Sequence, residues 1–115
     1  MMKKERNPKT REISAENENL TRKIGETYRY CKKQIDYFEY AGCVRENQKV
    51  YDDNRALIKL VDLSLENCTQ TTRQIIRRQY LEISDTEWYR DYYSSSTYYR
   101  LRRKAVEEFL NSLNE

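Results

Sequence analysis

Apolar residues recur along this chain at helical rather than strand spacing. Ile24, Tyr28, Cys31, Ile35, Phe38 and Gly42 are separated by 4, 3, 4, 3 and 4 residues, with Leu20 one turn earlier. That period puts one stripe on one face and predicts a helix over 15–41 with a heptad seam of coiled-coil type. Gly42 reads as its stop, because glycine adopts the left-handed backbone that closes helices. A second helix is predicted over 44–65, with Tyr51, Ile58, Val61 and Leu65 on one face and Val50, Leu57 and Leu60 widening it. Two helices joined by a short glycine-containing link predict an antiparallel hairpin. Such seams close on each other or on a second copy of the chain, and the pattern is the same in either case.

A polar break, Asn67 to Thr72, separates this hairpin from the C-terminal segments. Thr71 and Gln74 have the spacing of a capping box, and Ile75, Ile76, Tyr80 and Leu81 predict a third helix over 71–82. The tetrapeptide SDTE at 84–87 has the same spacing. Ser84 would accept from the Glu87 amide while the Glu87 carboxylate reaches back to the Ser84 amide, which predicts a short helix over 85–91 carrying Trp88, Tyr89 and Tyr92. Ser94 is a further N-cap candidate, before a fifth helix over 95–113 whose buried stripe is Tyr98, Leu101, Ala105, Phe109, Leu110 and Leu113. The expected fold is therefore all-α: an N-terminal helical hairpin followed by three helices.

Composition supports this and adds a little. Only two glycines and one proline occur in 115 residues, which favours long helices. Eleven tyrosines argue for a packed domain although 36% of the chain is charged, since disordered chains are poor in aromatics. Residues 1–14 have almost nothing to bury and carry Lys3, Lys4, Arg6, Lys9 and Arg11 against Glu5 and Glu12, so they read as a flexible basic arm. The domain division is then arm 1–14, hairpin 15–66 for dimerisation or partner docking, and a C-terminal unit 67–115.

Several chemistries are disfavoured. There is no histidine, and the three cysteines, Cys31, Cys43 and Cys68, match no zinc-finger or ribbon spacing. The expected state of these thiols is reduced and partly buried, as in a cytoplasmic protein. The adjacent acids Asp52–Asp53 and Glu107–Glu108 point about 100° apart on a helix, which suits no general acid–base pair. No enzyme, cofactor or metal is expected. No apolar run reaches the roughly 20 residues of a membrane span, and no signal-peptide core precedes the first helix.

The net charge of +3 is mild, but its placement is not even. From Tyr92 to Val106 there are four basic residues, Arg100, Arg102, Arg103 and Lys104, and no acid. They follow a run of hydroxyls and aromatics in YSSSTYYRLRRKAVEEF, residues 93–109. A helix, a short capped helix, a tight turn and a longer basic helix are in helix-turn-helix order. In that arrangement the last helix enters the DNA major groove by its N-terminal end. Small hydroxyls there allow close approach, free amides and the helix dipole favour phosphate, and arginines a turn or two later reach the flanking backbone. The expected DNA-contacting set is Ser94, Ser95, Ser96, Thr97, Tyr99, Arg100, Arg102, Arg103 and Lys104, with Arg100, Arg102 and Arg103 on phosphates and Ser95, Ser96 and Tyr99 nearest base edges. Tyr98 and Leu101 are expected in the core.

SSSTYYRLRRKAVEEF resembles the recognition helix of sigma-factor C-terminal domains, and is more similar still to small phage late-gene regulators of the RinA and ArpU type. Ser94, Ser96, Thr97, Tyr98, Tyr99, Arg100, Arg102, Ala105, Glu108 and Phe109 carry the similarity, with Tyr80-Leu81-Glu82 upstream. The resemblance spans about residues 72–110. It implies a sigma-like helix-turn-helix, binding to double-stranded DNA, control of transcription and contact with RNA polymerase. The chain departs from that pattern in its turn, where Tyr92-Tyr93 replaces the usual glycine, and at Tyr89, which aligns with an alanine at the close helix crossing. The segment is also about two residues shorter. A bulky side chain at that crossing is expected to push the helices apart or to turn outward. The expected function is a sequence-specific DNA-binding transcriptional regulator. The alternative is a protein-interaction module that uses a helix-turn-helix scaffold without binding DNA, and a third reading is an RNA binder that stacks bases on Tyr and Arg.

Overall fold

A long helix opens the fold because both of its ends carry strong stop signals. The computed structural model describes residues 13–115. Helix α1 spans Ala15–Ala41; the Ser14 hydroxyl caps its start by accepting from the Asn17 amide at 3.1 Å, and Gly42 closes it with φ of 68°. Most of the expected basic arm lies outside the described residues, but Ile13 packs against the core and Ser14 is the cap, so these two belong to the fold. A 3-10 turn, Arg45–Asn47, leads into α2, Gln48–Glu66. Helix α3, Gln70–Ile76, runs directly into a π turn, Arg77–Leu81. A 3-10 turn, Trp88–Asp91, precedes α4, Ser95–Leu113. The described residues are all-helical, with no strand.

Two of the expected starts are built differently. Helix α3 is capped by Thr69, whose hydroxyl accepts from the Thr72 amide, and not by Thr71 with Gln74. The Ser84–Glu87 box does not form: the Asp85 carboxylate accepts from the Glu87 amide at 3.4 Å, and a single 3-10 turn stands in place of the expected fourth helix. So short a segment gains little from its own backbone hydrogen bonds, because helix nucleation is costly. The burial of Trp88 and Tyr89 decides its shape instead.

The packing joins the segments. Helix α1 lies against α2, against the π turn and against α4, while α3 packs on α4. A common core draws Tyr28 from α1, Val61 and Leu65 from α2, Ile75 and Ile76 from α3, and Val106 and Phe109 from α4. The molecule is elongated, 60 × 32 × 21 Å. A 27-residue helix is about 40 Å long, so α1 and its neighbour α2 run on past this core. The far part is held by Phe38 and Cys31, both buried, and by polar ties such as Asn54 donating to the Gln34 side chain at 2.8 Å.

The seam on α1 departs from expectation at its N-terminal end. Leu20 is half exposed, and the buried positions there are Thr21 and Gly25. The cause is a close approach of the π turn. A Cβ on Gly25 would stand 2.2 Å from the carbonyl oxygen of Tyr80, so only glycine fits. Thr21 is buried at no polar cost because its hydroxyl donates to the Asn17 carbonyl at 2.8 Å.

Candidate nucleic-acid interface

Helix α4 is anchored before it is exposed. Its first buried residue, Tyr98, is met by aromatic rings on several sides. Tyr89 lies parallel to it at 2° with centroids 3.9 Å apart, and Trp88 meets it edge-on at 5.6 Å. Tyr89 is therefore not turned outward: it is buried, and its flat ring stacks on that of Tyr98. The Gln79 carbonyl oxygen accepts from the Trp88 indole at 3.2 Å and from the Tyr98 hydroxyl. One side-chain acceptor thus joins the π turn, the 3-10 turn and α4, satisfying two donors that burial would otherwise strand. Burial, the leading cause, pushes the Tyr98 hydroxyl up to about 12 in pKa, so it stays a donor throughout the ordinary pH range. The Tyr92–Tyr93 turn is pinned at its second residue, where the Tyr93 hydroxyl donates to the Gln74 side chain at 3.3 Å.

The far end of α4 is tied to the start of α3. The Glu108 carboxylate accepts from the Thr69 amide at 2.8 Å, from the Thr69 hydroxyl at 3.2 Å and from the Thr72 hydroxyl at 2.6 Å. Burial raises the Glu108 pKa, but these hydrogen bonds outweigh it and hold the carboxyl below its ordinary value.

The expected site residues divide by face. Ser94 is the N-cap of α4, accepting from the Thr97 amide at 3.3 Å. Ser95, Ser96, Tyr99, Arg100 and Lys104 are exposed, and Thr97 is half-buried. At 100° per residue, Ser96, Arg100, Arg103 and Lys104 share one outward face, with Tyr99 on its flank. Arg103 is largely covered; its guanidinium lies 3.5 Å from Glu107, and its buried Nε has no hydrogen-bond partner. Arg102 stands apart from this outward face. It lies on the buried side with Tyr98, Ala105 and Phe109, donating to the Tyr80 hydroxyl at 3.0 Å and to the Glu18 carboxylate at 2.9 Å. Burial disfavours its charge, but Tyr80 and Glu18 outweigh this and leave its pKa raised.

Sequence reasoning missed the residues that hold this arrangement. Gln79, Glu18 and Glu108 are polar residues on otherwise charged helices, and they reach partners 19, 84 and 39 positions away. Nothing local marks Gln79 or Glu18, and Glu108 is marked only as a residue of the resemblance. Gly25 did carry a signal, since a lone glycine inside a helical pattern often marks close backbone approach.

Among the described residues no group of His, Cys, Asp or Glu is arranged to hold a metal ion, and no helix is long and apolar enough to cross a membrane. The cysteines are free thiols, with Cys31 and Cys68 buried. Comparisons of the chain with protein families, with curated proteins and with solved structures find no match.

Proposed function

We infer that this chain is a DNA-binding transcriptional regulator that meets duplex DNA with the N-terminal half of α4. One observation carries the reading: Ser96, Tyr99, Arg100 and Lys104 stand exposed near the start of a helix whose window from Tyr92 to Val106 holds no acid. The hydroxyls suit close approach and the cations suit phosphates. The anchoring of α4 through Tyr98 and Glu108 supports it, because a reading helix has to be held rigid by its supporting residues. The resemblance to RinA- and ArpU-type regulators points the same way. In this reading residues 67–115 form a sigma-like helix-turn-helix, with the 3-10 turn in place of its middle helix. The pair 15–66 is a helical hairpin for dimerisation or for docking on RNA polymerase, and the protein works in the cytoplasm.

The deciding experiment is titration of labelled duplex fragments at several salt concentrations. Binding that weakens steeply with salt and discriminates between sequences supports the proposal. Absence of binding at low salt, with RNA polymerase present as well as absent, overturns it.

A second reading has its own observation. Tyr30, Tyr37 and Tyr40 on α1 are 60%, 61% and 92% exposed, an unusual display of large aromatics on one helix. They favour a protein-interaction module in which the C-terminal helices are scaffold. Such a protein shows no salt-dependent affinity for duplex DNA.

A further inference from the structure

Three arginines from α1 and α4 converge where α1, the π turn and α4 meet. They line a cleft of about 170 Å³ whose remaining walls are Glu18, Gln79 and Tyr80. The volume is several waters' worth, and the lining is almost wholly polar side chain. Its lining carries three arginines, Arg22, Arg29 and Arg102, and one carboxylate, Glu18, a positive balance within the cleft; Arg29 also lines the adjoining cleft with Glu82 and Asp85.

Their placement is fixed by the fold rather than by chance contact. A single oxygen of Glu18 accepts from Arg22 at 2.8 Å and from Arg102 at 2.9 Å, while the other accepts from the Tyr80 hydroxyl at 2.6 Å. Arg102 also donates to the Tyr80 hydroxyl, and Arg29 donates to the Tyr80 backbone carbonyl. That carbonyl is available because Tyr80 lies in the last turn of its element, where carbonyls have no partner within the helix; the turn itself is closed by the Glu82 amide reaching back to Arg77 at 2.8 Å. Such π turns are uncommon and occur often at functional positions. Gly25 lets the same carbonyl approach α1 closely.

A guanidinium carries five N–H donors in a planar fork. Arg29 engages one protein acceptor, through its Nη1, and Arg22 and Arg102 engage two each. Most of the donor capacity of the three side chains is therefore free, in a cleft with a positive balance. Glu18 accepts from Arg22, Arg102 and Tyr80 and makes no hydrogen bond to Arg29. Arginine forks so presented match the oxygens of a phosphate group.

We propose that the Arg22–Arg29–Arg102 cleft is an oxyanion site that takes a phosphate group. The phosphate belongs either to a nucleic-acid backbone passing α4 or to a free phosphorylated small molecule. The site does not depend on the reading of α4 as a DNA reader, and its test needs no DNA.

The probe is inorganic phosphate, added to the full chain at constant ionic strength with chloride as the balancing anion. The arginine Nε–H resonances are followed by NMR. Phosphate should shift the signals of Arg22, Arg29 and Arg102 saturably and leave those of Arg45, in the 3-10 turn after α1, and Arg55, on α2, in place. Arg22→Gln is the first variant, because Arg22 is half exposed and folding should survive it. It should weaken phosphate binding roughly tenfold, as loss of a charge-assisted pair does. Arg29→Gln should do the same, with thermal melting as a check on folding. A second arm adds duplex DNA. Shifts of the same three signals assign the phosphate to a nucleic-acid backbone, and shifts with phosphate but not with duplex assign it to a free ligand. The proposal fails if phosphate produces no saturable shift of these signals, or if Arg22→Gln binds phosphate as the parent does.

Discussion

The rings of Tyr89 and Tyr98 lie face to face, 2° from parallel and 3.9 Å between centroids. Both are buried, and they come from the 3-10 turn and from α4. A small residue at this crossing would let backbones touch; here a flat ring fills the gap and the helix it meets supplies another flat ring. Trp88 closes the cluster at right angles to both stacked rings, 5.6 Å from Tyr98 and 6.3 Å from Tyr89 between centroids. The bulk that looked incompatible with a close crossing is what holds it.

Tyr89→Ala should therefore destabilise the protein although alanine is the residue expected at such crossings. The cavity and the lost ring burial together should cost about 3–5 kcal/mol. Tyr89→Phe keeps the ring and should cost less than about 1 kcal/mol. Urea denaturation of both variants checks this. A Tyr89→Ala protein as stable as the parent would mean that the segment 82–94 repacks freely, and that α4 is not anchored through it.

Gly25 gives a prediction in which two effects have opposite signs. Alanine is favoured over glycine inside a helix by about 1 kcal/mol. At Gly25 the added Cβ meets the Tyr80 carbonyl oxygen, a backbone atom that cannot swing aside. Overpacking of this kind costs about 1–3 kcal/mol and more where the backbone must shift. Gly25→Ala should thus lower the melting temperature, and an increase would show that α1 and the π turn are not in close contact.

The Glu108 link makes stability depend on pH in a definite direction. Its folded pKa lies below the ordinary value, so the unfolded chain takes up the proton first as pH falls. The stabilisation is complete above the ordinary glutamate pKa of about 4.3 and disappears as pH drops through the lower folded value. Glu108→Gln offers one acceptor and turns an amide donor toward donors at Thr69 and Thr72. At neutral pH it should cost about 1–3 kcal/mol. The difference from the parent should shrink below about pH 4, which denaturation at several pH values will measure. A difference that does not change with pH would mean that Glu108 contributes by packing alone.

How far the fold is legible in the sequence depends on where its information lies. Helix α1 stops where Gly42 says it should and α4 starts where Ser94 does, because capping is local and acts through residues three or four positions apart. The segment 85–91 misleads for the same reason: its spacing offers a capping box, but the burial of Trp88 and Tyr89 against Tyr98 overrides a local preference worth about 1 kcal/mol. Arg102 is the instructive case at the candidate site. Its position, four after Tyr98 and three before Ala105, lies on the inward stripe, and that much is visible in the helical spacing. Its charge argues for solvent, and the carboxylate that reconciles the two is Glu18, 84 residues earlier and unrecognisable without the fold.

That division among the arginines supplies the sharpest test of the DNA reading. Arg100 and Lys104 are exposed on the outward face, whereas Arg102 is bound to Glu18 with its side chain only 17% exposed. If α4 meets a duplex by this face, Arg100→Ala and Lys104→Ala should each lower affinity for every sequence. Each should also reduce the slope of log affinity against log salt by about 0.9, the signature of one lost phosphate contact. Their stability should stay within about 0.5 kcal/mol of the parent, as for exposed side chains without a structural partner. Arg102→Ala should act first through the fold, because it removes one charged partner of Glu18 and the donor to the Tyr80 hydroxyl, at a cost of about 1–3 kcal/mol. Ser96→Ala and Tyr99→Ala should leave the salt slope alone and change which sequence is preferred, by about 1–3 kcal/mol at a base-pair position. Duplex titrations across a salt series, paired with denaturation of each variant, separate these outcomes. A nonspecific basic surface would show the slope changes without the change of preference. A protein-interaction module would show neither, and equal salt slopes for Arg100→Ala, Lys104→Ala and the parent would remove α4's outward face from the DNA contact.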